Sequence, residues 1–543
     1  MSTQLLFTRP AFYIFLLTVM VGLSLLKNKS AMRNAFLFAA SLFFYWKTSA
    51  AFVFLLLFST VADWGIAAVM DRSENLQRRL WLTLSVLINL GLLGFFKYAY
   101  FLADSSAMLF DTSFRVESIL LPVGISFYTF QTLSYSIDVY RRKVSPVKSL
   151  LDFGCYVTFF PQLVAGPIVR AKDFIPQLQS KYDLSRKEFN LGVWWILTGL
   201  IKKIVIADYI AMNLVDRVFA NPTSYSGMEV LLGLYGYSLQ VFADFSGYSD
   251  IAIGVALIMG FRLAENFRSP YKARNVGEFW GRWHISLSTW LRDYLYIPMG
   301  GSRSASVFSV IFSIGIVLFA GLMLREGEEA INLGVIFLGG GVLMMIYASG
   351  VMFTKWGVKL ATYINILATM IIGGLWHGAS WNFLLWGALN GMGLLVYKII
   401  CRHLPWAKSE KFLARAWGVI LTFNFITFTR IWFRAGSSIG WDTAAGDHNI
   451  LTEWFTANDL LYQITNHFYD IPPLDLLKGH LIVISVMASG YLLHLMPTKI
   501  TSKVINGFTT LHITVVFCIS IIVSAILWKV GAAAPAPFIY FQF

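Results

Sequence analysis

The amino-acid sequence predicts an all-α protein that crosses a membrane many times. Of its 543 residues, 57% are hydrophobic, 16% are aromatic and 13% are charged, whereas a soluble domain is about 25% charged. Strands are not a serious alternative, because an open sheet in lipid leaves the backbone groups at its edges without partners. The composition excludes a disordered chain, a collagen-like fibre and an ordinary cytosolic enzyme. We expect one membrane-embedded body over residues 1–543.

The apolar runs indicate where the spans lie. A spanning helix needs about 20 apolar residues, and several runs are shorter than that. Short runs rich in glycine or aromatic residues are typical of tilted, re-entrant or buried helices. We predict about 11–13 spans, together with re-entrant or interfacial helices. The runs are Ala11–Leu26, Phe36–Trp46, Ala50–Met70, Leu80–Phe96, Ile119–Tyr135, Leu191–Ile206, Leu231–Phe261, Val307–Leu324, Leu333–Phe353, Tyr363–Leu375, Trp381–Ile399, Trp417–Phe433, Leu481–Leu495 and Ile513–Trp528.

Basic clusters between these runs predict the topology. The chain has 43 Lys and Arg against 29 Asp and Glu, a net charge of +14, which on a soluble protein would suggest nucleic acid as a partner. Here the bases form short clusters, and such clusters mark cytoplasmic loops. We therefore expect contact with membrane lipid and no nucleic acid. With these clusters on the cytoplasmic side, the N-terminus and residues 531–543 are predicted to lie outside. The clusters are Lys27 with Lys29 and Arg33, Arg72 with Arg78 and Arg79, Arg141–Lys143, Arg268–Arg303, and Lys499 with Lys503.

A polar segment from Glu265 to Gly301 interrupts the apolar pattern. Apolar residues recur with helical spacing from Trp283 to Tyr294 and predict one helix, which ends at Pro298 and the glycines after it. The segment also contains His284 and several bases. One interpretation is an amphipathic helix at the membrane surface, whose bases contact anionic lipid. The other is a catalytic or cofactor site whose bases bind phosphate groups.

The second polar feature is His377, within the apolar, Gly- and Trp-rich segment Gly373–Gly391. An ionisable side chain at membrane depth is costly and usually marks a functional site. A neutral histidine that is hydrogen-bonded between helices is the structural alternative. The glycines at 373, 374 and 378 would let another backbone or a substrate approach closely.

The sequence supports no metal site. Its three cysteines show no paired spacing, and it has neither an HExxH motif nor a Cys/His cluster. No phosphate-binding loop, dinucleotide fingerprint or GxSxG motif occurs. Four carboxylates within or beside apolar runs are candidates for a proton relay or for structural hydrogen bonds: Asp63, Asp208, Asp244 and Asp250.

Four segments resemble the membrane-bound O-acyltransferase (MBOAT) family. They are FFPQLVAGPIVR from Phe159, QVFADFSGYSDIAIGVALIMGF from Gln240, SPYKARNVGEFWGRWHISLSTWLRDYLYIPMGG from Ser269, and GGLWHGASWNFLLWGALNG from Gly373. The branch they resemble is the bacterial one with the membrane subunits of alginate, cellulose and peptidoglycan O-acetyltransferases and the teichoic acid D-alanyltransferase. The resemblance implies the MBOAT fold, a helical bundle with a thin centre where funnels from both faces meet near an active histidine.

The resemblance implies an acyltransferase in which His377 matches the family's histidine and His284 its second polar position. The implied donor is cytoplasmic acetyl-CoA. The implied product is an O-acetylated exopolysaccharide or cell-wall polysaccharide, made with a separate soluble extracytoplasmic acetyltransferase subunit. The implied location is the bacterial cytoplasmic (inner) membrane.

Histidine chemistry agrees with this reading, because a histidine pKa near neutrality suits general acid–base catalysis. We choose His377 as the base; His284 could orient it, hold the thioester carbonyl or assist the leaving thiolate. Candidates for binding the coenzyme phosphates, each equally explained by anchoring at the cytoplasmic face, are Arg268, Lys272, Arg274, Arg282 and Arg292. The alternative functions are a lipid or longer-chain acyltransferase, a polysaccharide transporter without covalent chemistry, and a scaffold.

The chain ends in GAAAPAPFIYFQF, an Ala-Pro segment followed by aromatic residues. One interpretation is an aromatic anchor at the membrane interface. The other places the tail in the outer funnel, with Tyr540 as an acyl relay, because a phenol accepts an acyl group when a base takes its proton. The tail resembles aromatic C-terminal motifs with one tyrosine in this branch, and that resemblance implies a relay from coenzyme A to Tyr540 and then to the partner.

Overall fold

The protein, described from a computed structural model, consists of helices joined by turns, and its described residues contain no strand. The structure describes residues 5–110, 116, 119–164, 166–304, 306–309, 311–312, 315, 354–404, 409–437, 450–531 and 538. The α-helices are α1 (Pro10–Leu26), α2 (Ser30–Ser49), α3 (Val53–Arg72), α4 (Asn75–Leu93), α5 (Ala99–Phe110), α6 (Ile125–Tyr140), α7 (Leu150–Thr158), α8 (Phe160–Leu163), α9 (Ala171–Gln179), α10 (Arg186–Leu200), α11 (Asp216–Ala220), α12 (Gly227–Ile258), α13 (Val276–Trp280), α14 (Ile285–Leu291), α15 (Lys355–His377), α16 (Trp381–His403), α17 (Phe412–Gly436), α18 (Ile450–Asn466), α19 (Pro473–Gly479), α20 (Leu481–Leu495), α21 (Thr498–Thr510) and α22 (Ile513–Val530).

Eight helical segments of the described chain are long and apolar enough to cross a membrane, and the pair α19 and α20, bent by 84°, makes a ninth if it is one span. This confirms an all-α, multi-pass membrane bundle. The count is below the predicted 11–13 in part because α6, which lies in a predicted span, has 16 residues and is almost entirely buried. The predicted runs Val307–Leu324 and Leu333–Phe353 lie largely outside the described residues.

The helix α12 forms the centre of the bundle and packs along α10. Two pairs of glycines bring the backbones together. A Cβ atom on Gly199 would lie 2.5 Å from the carbonyl oxygen of Gly247, and one on Gly254 would lie 2.5 Å from that of Gly192. In lipid the hydrophobic effect does not drive helices together, so the close packing that small residues allow stabilises such a crossing.

Charged side chains also join α12 to the π-helical segment Ile201–Asp208, which continues α10. Lys203 binds Asp208 at 2.8 Å and Asp244 at 2.5 Å, and Lys202 binds Asp250 at 2.5 Å. From the sequence, Asp208, Asp244 and Asp250 were candidates for a proton relay or for structural hydrogen bonds. In the structure each of these three carboxylates pairs with a lysine. Such pairing is what buried charges need in order to persist in a bundle interior.

The polar segment enters the bundle. The predicted helix is confirmed: α14 continues into a π-helical turn, Arg292–Tyr296, before Gly300 and Gly301 with positive φ. Its tryptophans are buried, and Trp290 stacks on Phe130 with ring centroids 3.7 Å apart. This excludes the alternative of a surface helix with its tryptophans at the lipid headgroups.

Candidate active site

His377 is the last residue of α15, at the turn into α16. Glycines allow these two helices to approach closely. A Cβ atom on Gly374 would overlap the carbonyl oxygen of Phe383, and one on Gly378 would overlap the Phe383 ring. The glycine-rich pattern in the sequence therefore reflects backbone contact between the two helices beside the histidine.

The imidazole of His377 is buried among aromatic rings. Its ring centroid lies 5.0 Å from that of Trp376, 5.2 Å from that of Trp386 and 5.5 Å from that of Phe433. These rings pack around the imidazole and limit its rotation.

Lys97 holds the backbone of His377 in place, and the sequence analysis did not single it out. Its Nζ donates to the carbonyl oxygens of Trp376 at 2.6 Å and of His377 at 3.1 Å. Tyr98 donates to the carbonyl oxygen of Leu375 at 2.8 Å. The last carbonyls of a helix have no intrahelical donors and carry partial negative charge, which a cation there stabilises. The signal in the sequence that could have pointed to Lys97 is its position as a single lysine beside an apolar run.

His284 precedes α14 in a left-handed backbone conformation, with φ 43° and ψ 54°. Its Nδ1 lies 3.2 Å from Oδ1 of Asn266, which also accepts from the backbone N–H and the hydroxyl of Ser286. Because an amide oxygen only accepts, this contact places the proton on Nδ1 and the lone pair on Nε2. Burial lowers the pKa of His284 to about 3, so the ring is neutral at physiological pH.

The imidazoles of the two histidines are neighbours, with ring centroids 6.3 Å apart. Trp376 packs against both rings, at 5.8 Å from His284 and 5.0 Å from His377. The structure therefore brings together the two predicted catalytic residues, which are 93 positions apart in the sequence.

Two cavities meet at His377. The larger has a volume of about 590 Å³ and is lined by α14, α15 and α16, with Arg292 and Lys398 among its residues. The smaller has a volume of about 80 Å³ and is lined by Lys97, by Trp376 and by residues 121–127 at the start of α6. His377 lines both cavities.

The sequence matches the model of the membrane-bound O-acyltransferase family over residues 126–321 and 346–435. The chain belongs to this family. It is similar to a probable alginate O-acetylase of Pseudomonas putida, with 32% identity over 99% of this chain and 100% of the relative. It is also 38% identical to a probable alginate O-acetylase of Pseudomonas aeruginosa over 73% of this chain and 66% of that protein. A peptidoglycan O-acetyltransferase of Helicobacter pylori is 32% identical, over 79% and 77% of the two chains.

Membership confirms that the protein is an acyltransferase. Of the five basic residues considered as donor ligands, all within the described chain, the structure places Arg292 in the lining of the larger cavity. The other four have partners elsewhere: Arg268 with Glu265, Arg274 with Glu278 and Glu410, Arg282 with Glu278, and Lys272 with the carbonyl oxygen of Met496. Lys398, which the sequence analysis missed, also lines the larger cavity of this MBOAT protein.

Tyr540 lies outside the described residues of the acyltransferase, but Phe538, two positions before it, is described and buried. The Phe538 ring stacks on Tyr248 at 4.4 Å and lies 5.9 Å from Phe245. Phe245 in turn lies 4.7 Å from His284. At Phe538 the tail is thus inside the bundle, one aromatic ring away from a candidate catalytic histidine.

Proposed function

We propose that this MBOAT protein takes acetyl groups from cytoplasmic acetyl-CoA and passes them across the bacterial inner membrane for O-acetylation of a polysaccharide. A soluble extracytoplasmic acetyltransferase subunit receives them. The relatives that are named for O-acetylation of alginate and peptidoglycan support the acetyl group and a polysaccharide acceptor.

The observation that carries this proposal is the position of His377 between two cavities. The larger cavity opens beside Arg292, in a basic segment that the positive-inside rule assigns to the cytoplasm. The smaller is at the start of α6, the helix end opposite the basic cluster Arg141–Lys143, and hence on the outer side. Donor and acceptor then approach the same imidazole from opposite faces.

The chemistry follows from this arrangement. The imidazole of His377 takes the proton of an acceptor hydroxyl, whose oxygen attacks the thioester carbonyl carbon. A C–O bond forms, the C–S bond breaks, and the proton on His377 passes to the leaving thiolate, so that an ester and free coenzyme A result. His284, neutral because of its burial and with its lone pair on Nε2, acts as an acceptor that orients the neighbouring imidazole of His377.

The first acceptor in this proposal is Tyr540. Burial of Phe538 beside Tyr248 and Phe245 supports a tail that enters the bundle rather than an anchor at its surface. An ester of a phenol is activated relative to a sugar ester, because a phenolate is the better leaving group. An acetyl group held on Tyr540 therefore remains activated for the final transfer to a sugar hydroxyl.

The test of acyl transfer is thiol release from acetyl-CoA by the purified protein in detergent, with the wild type beside His377→Ala. We expect release by the wild type and none by the variant. His467→Ala is the matched control, because His467 is partly exposed and pairs with Asp470 away from both cavities; it should match the wild type. Equal release by His377→Ala would contradict the role of the histidine, and release from palmitoyl-CoA in preference to acetyl-CoA would favour the longer-chain alternative.

The test of the relay is mass spectrometry of the C-terminal peptide after incubation with acetyl-CoA. We expect one added acetyl group on Tyr540 in the wild type, and none in His377→Ala or Tyr540→Phe. An active wild type whose Tyr540 is unmodified would remove the relay and leave the acyl-transfer proposal standing.

A further inference from the structure

The larger cavity follows the helix α16 away from His377. Trp386, which contacts His377, lines its inner end, and Leu394, Lys398 and Cys401 line it further along the same helix face. Their successive spacings of eight, four and three residues place these side chains on one stripe. Facing them are residues of α15 and α14, so three helices enclose one path that ends at the histidine.

The length of this path matches the flexible arm of coenzyme A. From Trp386 to Lys398 is twelve residues, about 18 Å along a helix with a rise of 1.5 Å per residue. The pantetheine arm has thirteen bonds between its sulfur and the first phosphorus. An extended chain spans about 3.5 Å for every three backbone bonds, so the arm reaches about 15 Å. The Lys398 side chain leans back toward the start of α16 and covers the difference.

Charge changes along the same path. The middle of the cavity is lined by apolar residues such as Leu287, Leu291 and Met370, whereas Arg292 and Lys398 supply positive charge farther out. The described lining contains no acidic residue, although Arg292 also pairs through its Nε with Asp293. A guanidinium and an ammonium together favour phosphate oxygens.

We propose that Lys398 and Arg292 bind the phosphate groups of the donor's nucleotide end. The pantetheine arm then occupies the apolar path, and the thioester lies at His377. This inference rests on the proposed function and deepens it, since it assigns the donor site to one residue that the sequence suggested and one that it did not. Arg268, Arg274 and Arg282 do not line this cavity; their carboxylate partners are Glu265, Glu278 and Glu410.

The experiment compares two donors, acetyl-CoA and S-acetyl-pantetheine, which lacks the phosphates and the nucleotide. In thiol-release assays, Lys398→Gln and Arg292→Gln should each raise the KM for acetyl-CoA about tenfold and leave kcat unchanged. For S-acetyl-pantetheine, kcat/KM should equal that of the wild type, which also shows that the variants are folded. Lys499→Gln, an exposed lysine on α21 away from the cavity, is the matched control and should change neither donor's kinetics.

A second readout is competition by adenosine 3′,5′-bisphosphate, a nucleotide fragment of coenzyme A. It should inhibit the wild type competitively with acetyl-CoA, and about tenfold more weakly in both variants. Variants that lose kcat/KM equally for both donors, or a fragment that inhibits the wild type and variants alike, would overturn the assignment. Absence of thiol release by the wild type from either donor is a different result and would instead refute the proposed function.

Discussion

Lys97→Met tests whether the lysine at the end of α15 positions the catalytic histidine. The substitution replaces Lys97 by an apolar side chain of similar length. It therefore removes the hydrogen bonds to the carbonyl oxygens of Trp376 and His377, at 2.6 and 3.1 Å. Each bond to a charged donor contributes about 1.5–3 kcal/mol. Burying an ammonium costs several kcal/mol, and the two effects offset each other. We therefore expect little change in thermal stability.

Activity should respond much more strongly than stability. Without the cation, the last turn of α15 is free to shift, and a displacement of about 1 Å at a catalytic group lowers the rate about 10²-fold. We expect kcat for thiol release from acetyl-CoA to fall between about 10- and 100-fold with the KM unchanged, because Lys97 does not line the larger cavity.

The assay is steady-state thiol release in detergent, with the melting temperature and elution volume of each variant measured in parallel. Lys529→Met, the same substitution at an exposed position on α22, is the control and should retain wild-type kcat. A folded Lys97→Met protein whose kcat stays within about twofold of the wild type would refute the positioning argument, since a rate change that small is below about 0.5 kcal/mol.

Three further substitutions test other parts of the site. Asn266→Ala removes the acceptor that fixes the His284 tautomer and should lower kcat about tenfold, the equivalent of about 1.4 kcal/mol; a wild-type kcat would show that the tautomer is set by other contacts. Gly374→Ala should prevent accumulation of folded protein on size-exclusion chromatography because its Cβ overlaps Phe383, whereas Gly507→Ala, with open space around it, should fold normally. His284 has a folded-state pKa of about 3, below its unfolded value near 6.5, so stability falls as the pH drops below about 6.5. Between pH 8 and pH 5 the loss from this residue is about 2 kcal/mol, and a smaller fall in melting temperature for His284→Gln than for the wild type checks it; equal falls would contradict it.

The candidate site was partly predictable because some of its signals are local. His377 stands out as an ionisable residue in an apolar run, and the spacing after Trp283 predicts the helix next to His284. The residues that were missed act across long separations: Lys97 binds a carbonyl 280 positions away, and Asn266 and Lys398 have no distinguishing local pattern. Likewise, Arg274 and Arg292 are equivalent candidates by sequence, and only the structure pairs Arg274 with Glu410, 136 positions away.

The sequence by itself determined the membrane-spanning, all-helical class and the two histidines, because run length, helical periodicity and the cost of a charge in lipid are properties of short segments. Only the tertiary structure decided that the two imidazoles are neighbours, that two cavities meet at His377, and which basic residues line the larger one. These depend on how distant helices pack, and the close glycine contacts between α15 and α16 and between α10 and α12 set that packing.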